Sequence, residues 1–258
     1  MIFRLDGNIE EVLALTPVVR GYKELTGERL ILTVSLPDLF EGNPFVDSLI
    51  EPEVTNDAII DFNMVEWQAV LKPVCESYME LVLGKHRPVC WQSMMFHKTE
   101  HAERAKAFIP EGAVLVSMAE MPAGLMEALA GKGYQVTRLT HKDCLSPHVF
   151  RAAVERASFY IGDDGDDTAI AMTTSVPAVV CYTWRSPTYF TPFRRGAPFE
   201  AIAPRKEDCL FADGCMMSNG MFECGRTYGV RCQLQNKMVC KKSVTLERII
   251  QAVERIGR

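Results

Sequence analysis

No uninterrupted apolar stretch in this 258-residue chain approaches the roughly 18 to 20 residues that span a bilayer. The opening MIFRLDGNIEE meets acidic residues too early for a secretory leader. Basic residues are in deficit, 28 Lys and Arg against 33 Asp and Glu for a net charge of −5, which argues against the basic face that nucleic-acid binding requires. There is no C-x2-C knuckle of the kind that marks a structural zinc site. Low-complexity and coiled-coil patterns are missing as well. These absences leave a folded cytoplasmic domain, or two small ones, as the expectation.

What is present is an alternation of period. MIFRL reads as a short strand, and Asn8 then opens a helical pattern with Ile9, Val12, Leu13, Leu15, Val18, Val19, Tyr22 and Leu25 largely on one face. Residues 30–36 form a branched-rich strand, PDLFEGNPF a loop, and AIIDF another buried strand. Residues 64–83 and 99–108 are predicted helical. After IPEG the pattern restarts with VLVSM, a helix ending in glycine, YQVTRLT, PHVFRAAVERA, SFYIG, a helix over about 167–174, PAVVCYTW and a closing amphipathic helix, SVTLERIIQAVERIGR. Helices alternating with apolar strands imply parallel βαβ units. The expected division is an N-terminal Rossmann-like lobe over 1–110 and a C-terminal one over 111–258.

Four sets of residues invite a chemical reading. Asp6, Gly7 and Asn8 follow the first strand, at the carboxyl edge where α/β proteins bind ligands. Glu10 and Glu11 stand in the first turn of the next helix; Asn8 and Glu11 have the spacing of a capping box, so a structural role competes with a catalytic one. The second set is GDDGDDT at 162–168, a strand-to-helix turn of the type that cradles phosphate, here carrying Asp163, Asp164, Asp166 and Asp167 around Gly165. Three readings stand: a divalent cation bridging the carboxylates to phosphate, aspartates that face solvent or cap the helix while the N–H groups stay usable, and a site that has lost its ligand. The third set is RSPTYFTPFRRG at 185–196, arginines interleaved with aromatics, which suits either a phosphate and ring or a plain surface loop.

The fourth set is cysteine. Cys75, Cys90, Cys144 and Cys181 sit among apolar neighbours and read as small buried hydrophobes. Cys209, Cys215, Cys224, Cys232 and Cys240 follow the spacing C-x5-C-x8-C-x7-C-x7-C in a glycine-bearing segment, where metal or iron–sulfur ligation and free or disulfide cysteines are both open. Histidines show no ligand spacing; His97 and His101, four apart, read as a solvated helix face rather than a metal site.

The order of these segments resembles glycosyltransferase family 9, the bacterial ADP-heptose:lipopolysaccharide heptosyltransferases. EEVLALTPVVRGYKELTGERLILTVS is similar to the family's opening strand–helix–strand, FEGNPFVDSLIE to its next segment, AERAKAFIPEGAVLVSM and LMEALAGKGYQVTRL to the start of its second domain, and ERASFYIGDDGDDTAIAMTTSVPAVVCY to its donor-site stretch. The resemblance implies a GT-B-like fold, two Rossmann-like lobes with parallel sheets facing a cleft, and transfer of a sugar from a nucleotide-diphosphate sugar, an ADP-sugar first, to a hydroxyl on a saccharide, a lipid-linked or another acceptor. Glu11 takes the place of the family's general base, with Asp6 beside it, and Gly7, Asn8 and Glu10 line the acceptor side. Asp163, Asp164, Gly165, Asp167 and Thr168 fall on the donor, as do Arg185, Thr188 and Tyr189. A required cofactor is not expected, a divalent cation at the aspartates being the one exception considered. The family's cysteine cluster before the last helix makes Cys209–Cys240 look inherited. This chain departs from the family pattern in lacking its donor-binding lysine and the histidine after Asp-Ser/Thr-Gly, and in being shorter. A catalytically degenerate or repurposed binding protein is therefore the alternative function.

Overall fold

A computed structural model of the chain describes residues 1–50, 59–64, 74–84, 92–182, 197–203 and 243–257. Strand β1 (Ile2–Leu5) leads into helix α1 (Ile9–Thr26), then β2 (Ile31–Val34), a 3-10 turn at Pro37–Phe40, β3 (Ser48–Leu49) and β4 (Ile59–Asp61). These strands form a parallel sheet in the order β3-β2-β1-β4. Phe3, Leu5, Leu32 and Val34 bury one face of it beneath α1 and α2 (Val74–Leu83), and an edge-to-face chain of rings, Tyr22, Phe3, Phe62 and Tyr78, joins sheet to helices at centroid spacings of 5.1–5.2 Å.

Proline at position 17 does not break α1, because its missing N–H is compensated locally. The carbonyl of Leu13, which a non-proline residue four places on would have bonded, accepts instead from Thr16 Oγ1 at 2.7 Å. The same hydroxyl accepts the Met94 N–H at 2.8 Å, so Thr16-Pro17 also anchors the segment that passes between the lobes.

The second lobe comprises α3 (Thr99–Ala105), β5 (Val114–Ser117), α4 (Leu125–Gly131), β6 (Val136–Arg138), α5 (Pro147–Arg156), β7 (Phe159–Asp163), α6 (Asp166–Ala171), β8 (Ala178–Cys181), β9 (Phe199–Ile202) and α7 (Leu246–Ile256). Its strands are all parallel, in the order β6-β5-β7-β8-β9. VLVS and AVVC are buried at every position, as expected for strands covered on both faces. Leu115, Tyr160 and Val180 face the side of α5 and α6; Val114, Val116, Ile161 and Val179 face α4 and α7, where Leu125, Leu129, Ile249 and Val253 meet them. Helix α3 precedes residue 110 in sequence yet packs on α5. Cys75, Cys144 and Cys181 are buried free thiols, each held well above its ordinary pKa first by burial; Cys90 and the five later cysteines lie outside the described residues.

One hydrophobic core runs through both lobes, with α1 packed on α6. Gln92 Nε2 donates to the carbonyl of Thr174 at 3.3 Å, and the ring of His148 on α5 is clasped between lobes. Its Nδ1 lies 2.5 Å from the Phe96 carbonyl and its Nε2 2.6 Å from the Asp38 carbonyl of the first lobe, in a side chain that is almost wholly buried. The His101 ring stacks on it at 5.1 Å. The reading of His97 and His101 as a solvated helix face is thus corrected: His101 is buried, its Nδ1 accepting the Lys98 N–H at 3.2 Å, and His97 precedes α3 and bonds Arg151. Burial lowers the pKa of both, so the uncharged form is favoured. No helix among the described residues is long and apolar enough to cross a membrane.

Candidate functional site

The carboxyl edge of the first sheet is built by the turn between β1 and α1. Asp6 N–H donates to Asn63 Oδ1 at 2.8 Å, and Asp61 Oδ1 accepts both Asn63 N–H (3.0 Å) and Nδ2 (2.8 Å). Gly7 N–H donates to Ser35 Oγ at 3.0 Å, and that hydroxyl returns its proton to Gly7 O at 2.7 Å. The turn is therefore fixed from β4 on one side and β2 on the other. The Asp6 carboxylate pairs with Arg4 at 3.5 Å and is about half exposed.

The capping box anticipated in the sequence is formed. Asn8 Oδ1 accepts the Glu11 N–H at 3.0 Å, and Asn8 N–H donates to Glu11 Oε2 at 3.0 Å. This leaves Glu11 Oε1 without a hydrogen bond among the described residues, so the cap uses one oxygen and a base would need only the other. A side chain on Gly7 would place its Cβ 2.8 Å from Oε2 and 2.9 Å from the Glu11 Cβ, so glycine is what allows the carboxylate to fold back over the turn. Beneath it, the Tyr78 phenol is held in its neutral form by burial and then by the Glu11 charge.

The turn between β7 and α6 answers the question its four aspartates raise. Asp163 Oδ2 accepts the Ala119 N–H at 2.8 Å. Asp167 Oδ1 accepts the His141 N–H at 2.8 Å and lies 2.5 Å from its Nδ1, while Oδ2 accepts from Ser117 Oγ. Both side chains of the Asp167–His141 pair are less than a fifth exposed. Burial opposes the Asp167 charge, but the bonds from His141 and Ser117 outweigh it and its pKa ends below the usual carboxylate value; the bond to Asp167 lifts that of His141. Burial raises the pKa of Asp163 and Asp166 instead, so for these two the charge is disfavoured. Much of the negative charge suggested by the sequence is turned inward.

Thr168 is spent in the same way, since it is buried and its Oγ1 donates to the Asp163 carbonyl and meets Tyr160 OH at 3.0 Å. Tyr160 in turn lies across Gly162, where an added Cβ would come within 2.1 Å of its oxygen. Gly165 caps α6 with extended backbone (φ −178°) and no side-chain bond, and a Cβ there would meet nothing within 4 Å among the described residues. No aspartate side chain caps the helix, and among the described residues the space over Gly165 is open. Among the described residues no three His, Cys, Asp or Glu side chains converge to hold a metal.

The structure thus gathers Asp6, Gly7, Asn8, Glu10 and Glu11 at the edge of one sheet and Asp163, Asp164, Gly165, Asp167 and Thr168 at the edge of the other. Arg185, Thr188, Tyr189, Cys209, Cys215, Cys224, Cys232 and Cys240 lie outside the described residues. Ser117, Ala119 and His141 were not anticipated. His141 follows β6 directly at a carboxyl edge, a usable signal, but its partner is 26 residues away in sequence and no spacing rule reaches it.

No family model and no curated protein matches the chain by sequence. Solved structures do match by shape. A family 9 glycosyltransferase from Veillonella parvula superposes with a TM-score of 0.69 at 11% identity, over 99% of this chain and 96% of that one. The chain has a GT-B fold. E. coli ADP-heptose LPS heptosyltransferase II gives the same GT-B arrangement with a TM-score of 0.65 at 11% identity, over 99% and 98% of the two chains. TibC of enterotoxigenic E. coli, a dodecameric iron-containing heptosyltransferase solved with ADP-D-β-D-heptose, reaches 0.67 at 14% identity, over all of this chain and 75% of that one. At such identities the likeness is one of fold.

Proposed function

We propose that the chain is a glycosyltransferase of the heptosyltransferase kind, moving a sugar from an ADP-sugar to an acceptor hydroxyl in the cytoplasm. The observation that carries the reading is the Glu11 carboxylate at the carboxyl edge of the first sheet, with one oxygen in the cap and the other outside it, in a fold shared with the heptosyltransferases above. In the proposed reaction the acceptor oxygen attacks the anomeric carbon as the bond from that carbon to the diphosphate oxygen breaks. The acceptor proton passes to Glu11 and the nucleoside diphosphate leaves with the bonding pair. Glu11 is one methylene longer than the family's aspartate, and its folding back onto Asn8 N–H takes up that length. Asp6 and Glu10 stand beside it on the acceptor side. The donor lies over the second sheet, beside Asp163, Asp164 and Asp167, where Gly165 leaves room among the described residues.

No metal is required in this reading, because Asp163 and Asp167 are already hydrogen-bonded within the protein. Cys209, Cys215, Cys224, Cys232 and Cys240 are assigned no part in transfer. The second reading, a repurposed binding protein, draws on the same inward-turned carboxylates and the missing lysine. A thermal-shift series with ADP-, UDP- and GDP-sugars, with and without magnesium, separates the two: stabilisation by an ADP-sugar alone supports transfer, and no shift with any donor refutes it.

A further inference from the structure

The ion pair between His141 and Asp167 is more than a tie between loops, because it leaves one polar atom over. Nδ1 and the backbone N–H of His141 are both spent on Asp167 Oδ1. Asp167 Oδ2 is spent on Ser117, at the carboxyl end of β5. Nε2 of His141 makes no hydrogen bond among the described residues, and it sits on the loop after β6, beside the ends of β5 and β7. Nε2 is not among the buried polar atoms that lack a partner, so the ring turns it to solvent at the strand edge, where a ligand oxygen can replace water.

The geometry points to His141 as the residue that meets the donor's diphosphate, its Nε2–H donating to a phosphate oxygen while Asp167 acts as the positioning residue that fixes the ring. This rests on the donor-site reading above. It gives the chain a cation where the resemblance shows no lysine. The charged groups that act on the ring are Asp167 and Asp166 on α6 and Lys142 on its own loop. Asp167 is the largest influence and favours the charged ring. A histidine whose folded pKa is raised keeps its charge to higher pH and loses it as pH rises through that value. Diphosphate affinity therefore weakens on the alkaline side.

The test is ADP binding by calorimetry from pH 7 to 9.5, above the second phosphate ionisation near 6, so that the ligand's charge stays about constant. The wild type is expected to bind ADP about tenfold more weakly at the alkaline end, the difference between a charge-assisted and a neutral hydrogen bond. His141→Gln, which keeps an N–H but no titrating charge, is expected to bind weakly with no pH dependence. Unfolding midpoints in the same buffers supply the control, since a merely structural histidine would move the midpoint and leave the wild-type slope of affinity in the variant. A flat wild-type profile, or a His141→Gln profile that keeps the slope, overturns the proposal while leaving the donor site standing. No ADP binding by the wild type at any pH sinks the donor-site reading, and this inference with it.

Discussion

Replacing Asp167 by Ala removes the acceptor of three hydrogen bonds and leaves the His141 ring facing a void. Side-chain exposures of 17% and 18% place the pair mostly out of water, where attraction is weakly screened. Removing one partner of such a pair costs about 3–5 kcal/mol, and the residual exposure puts the expectation at the lower end, about 3 kcal/mol. That is a large part of a domain stability of about 5–15 kcal/mol. The pH dependence follows from the two directions. Asp167 is lowered, so its contribution is present above the unfolded carboxylate value of about 3.9 and is lost as pH falls through its lower folded value. His141 is raised, so its contribution is complete below about 6.5 and is lost as pH rises through its higher folded value. The pair therefore stabilises most between about pH 4 and 6.5. Asp163 and Asp166, both raised first by burial and in part by the Asp167 charge, oppose folding at neutral pH, and losing that charge relieves them, which offsets part of the deficit. Urea denaturation at pH 5.5 and pH 9 is expected to show the Asp167→Ala deficit largest at pH 5.5. A deficit under about 0.5 kcal/mol there, the scale of an ordinary surface change, or one equal at the two pH values, would refute the reasoning.

Three further substitutions test other parts of the structure. His148→Ala leaves the Phe96 and Asp38 carbonyls without their partner and opens space beside His101, and is expected to cost about 2–4 kcal/mol in urea denaturation. Gly162→Ala drives a methyl to within 2.1–2.6 Å of the fully buried Tyr160 ring; the expected loss is about 1–3 kcal/mol, partly recovered when Tyr160→Leu is added. Gly7→Ala pushes against Glu11 Oε2 at 2.8 Å and Glu11 Cβ at 2.9 Å, and is expected to lower sugar transfer about tenfold or more while the disturbed cap costs only about 1 kcal/mol of stability.

The parts of the fold that were legible in the sequence are those set by local rules. Asn8 and Glu11 announced their cap three residues apart, Gly27 ended α1, and the apolar runs at 114–117 and 178–181 announced strands buried on both faces. The site was legible only as far as its positions along the chain. GDDGDDT was correctly a strand-to-helix turn, but what its aspartates do depends on Ala119, Ser117 and His141, which lie 44, 50 and 26 residues from their partners. Thr168 looked available as a ligand donor because a sequence does not show Tyr160 and the Asp163 carbonyl beside it. His101 looked solvated for the same reason, its burial being supplied in part by His148 on α5, distant in sequence. Gly165 marked the turn without being required by its backbone, whereas Gly162 and Gly7, less conspicuous in the sequence, are the glycines on which side chains press.

The most direct test of the account pairs binding with turnover in one variant. Glu11→Gln keeps the size of the side chain and an oxygen for the Asn8 cap while removing the base. The expected result is unchanged affinity for an ADP-sugar and loss of acceptor-dependent ADP release. Turnover at the wild-type rate in Glu11→Gln would contradict the account.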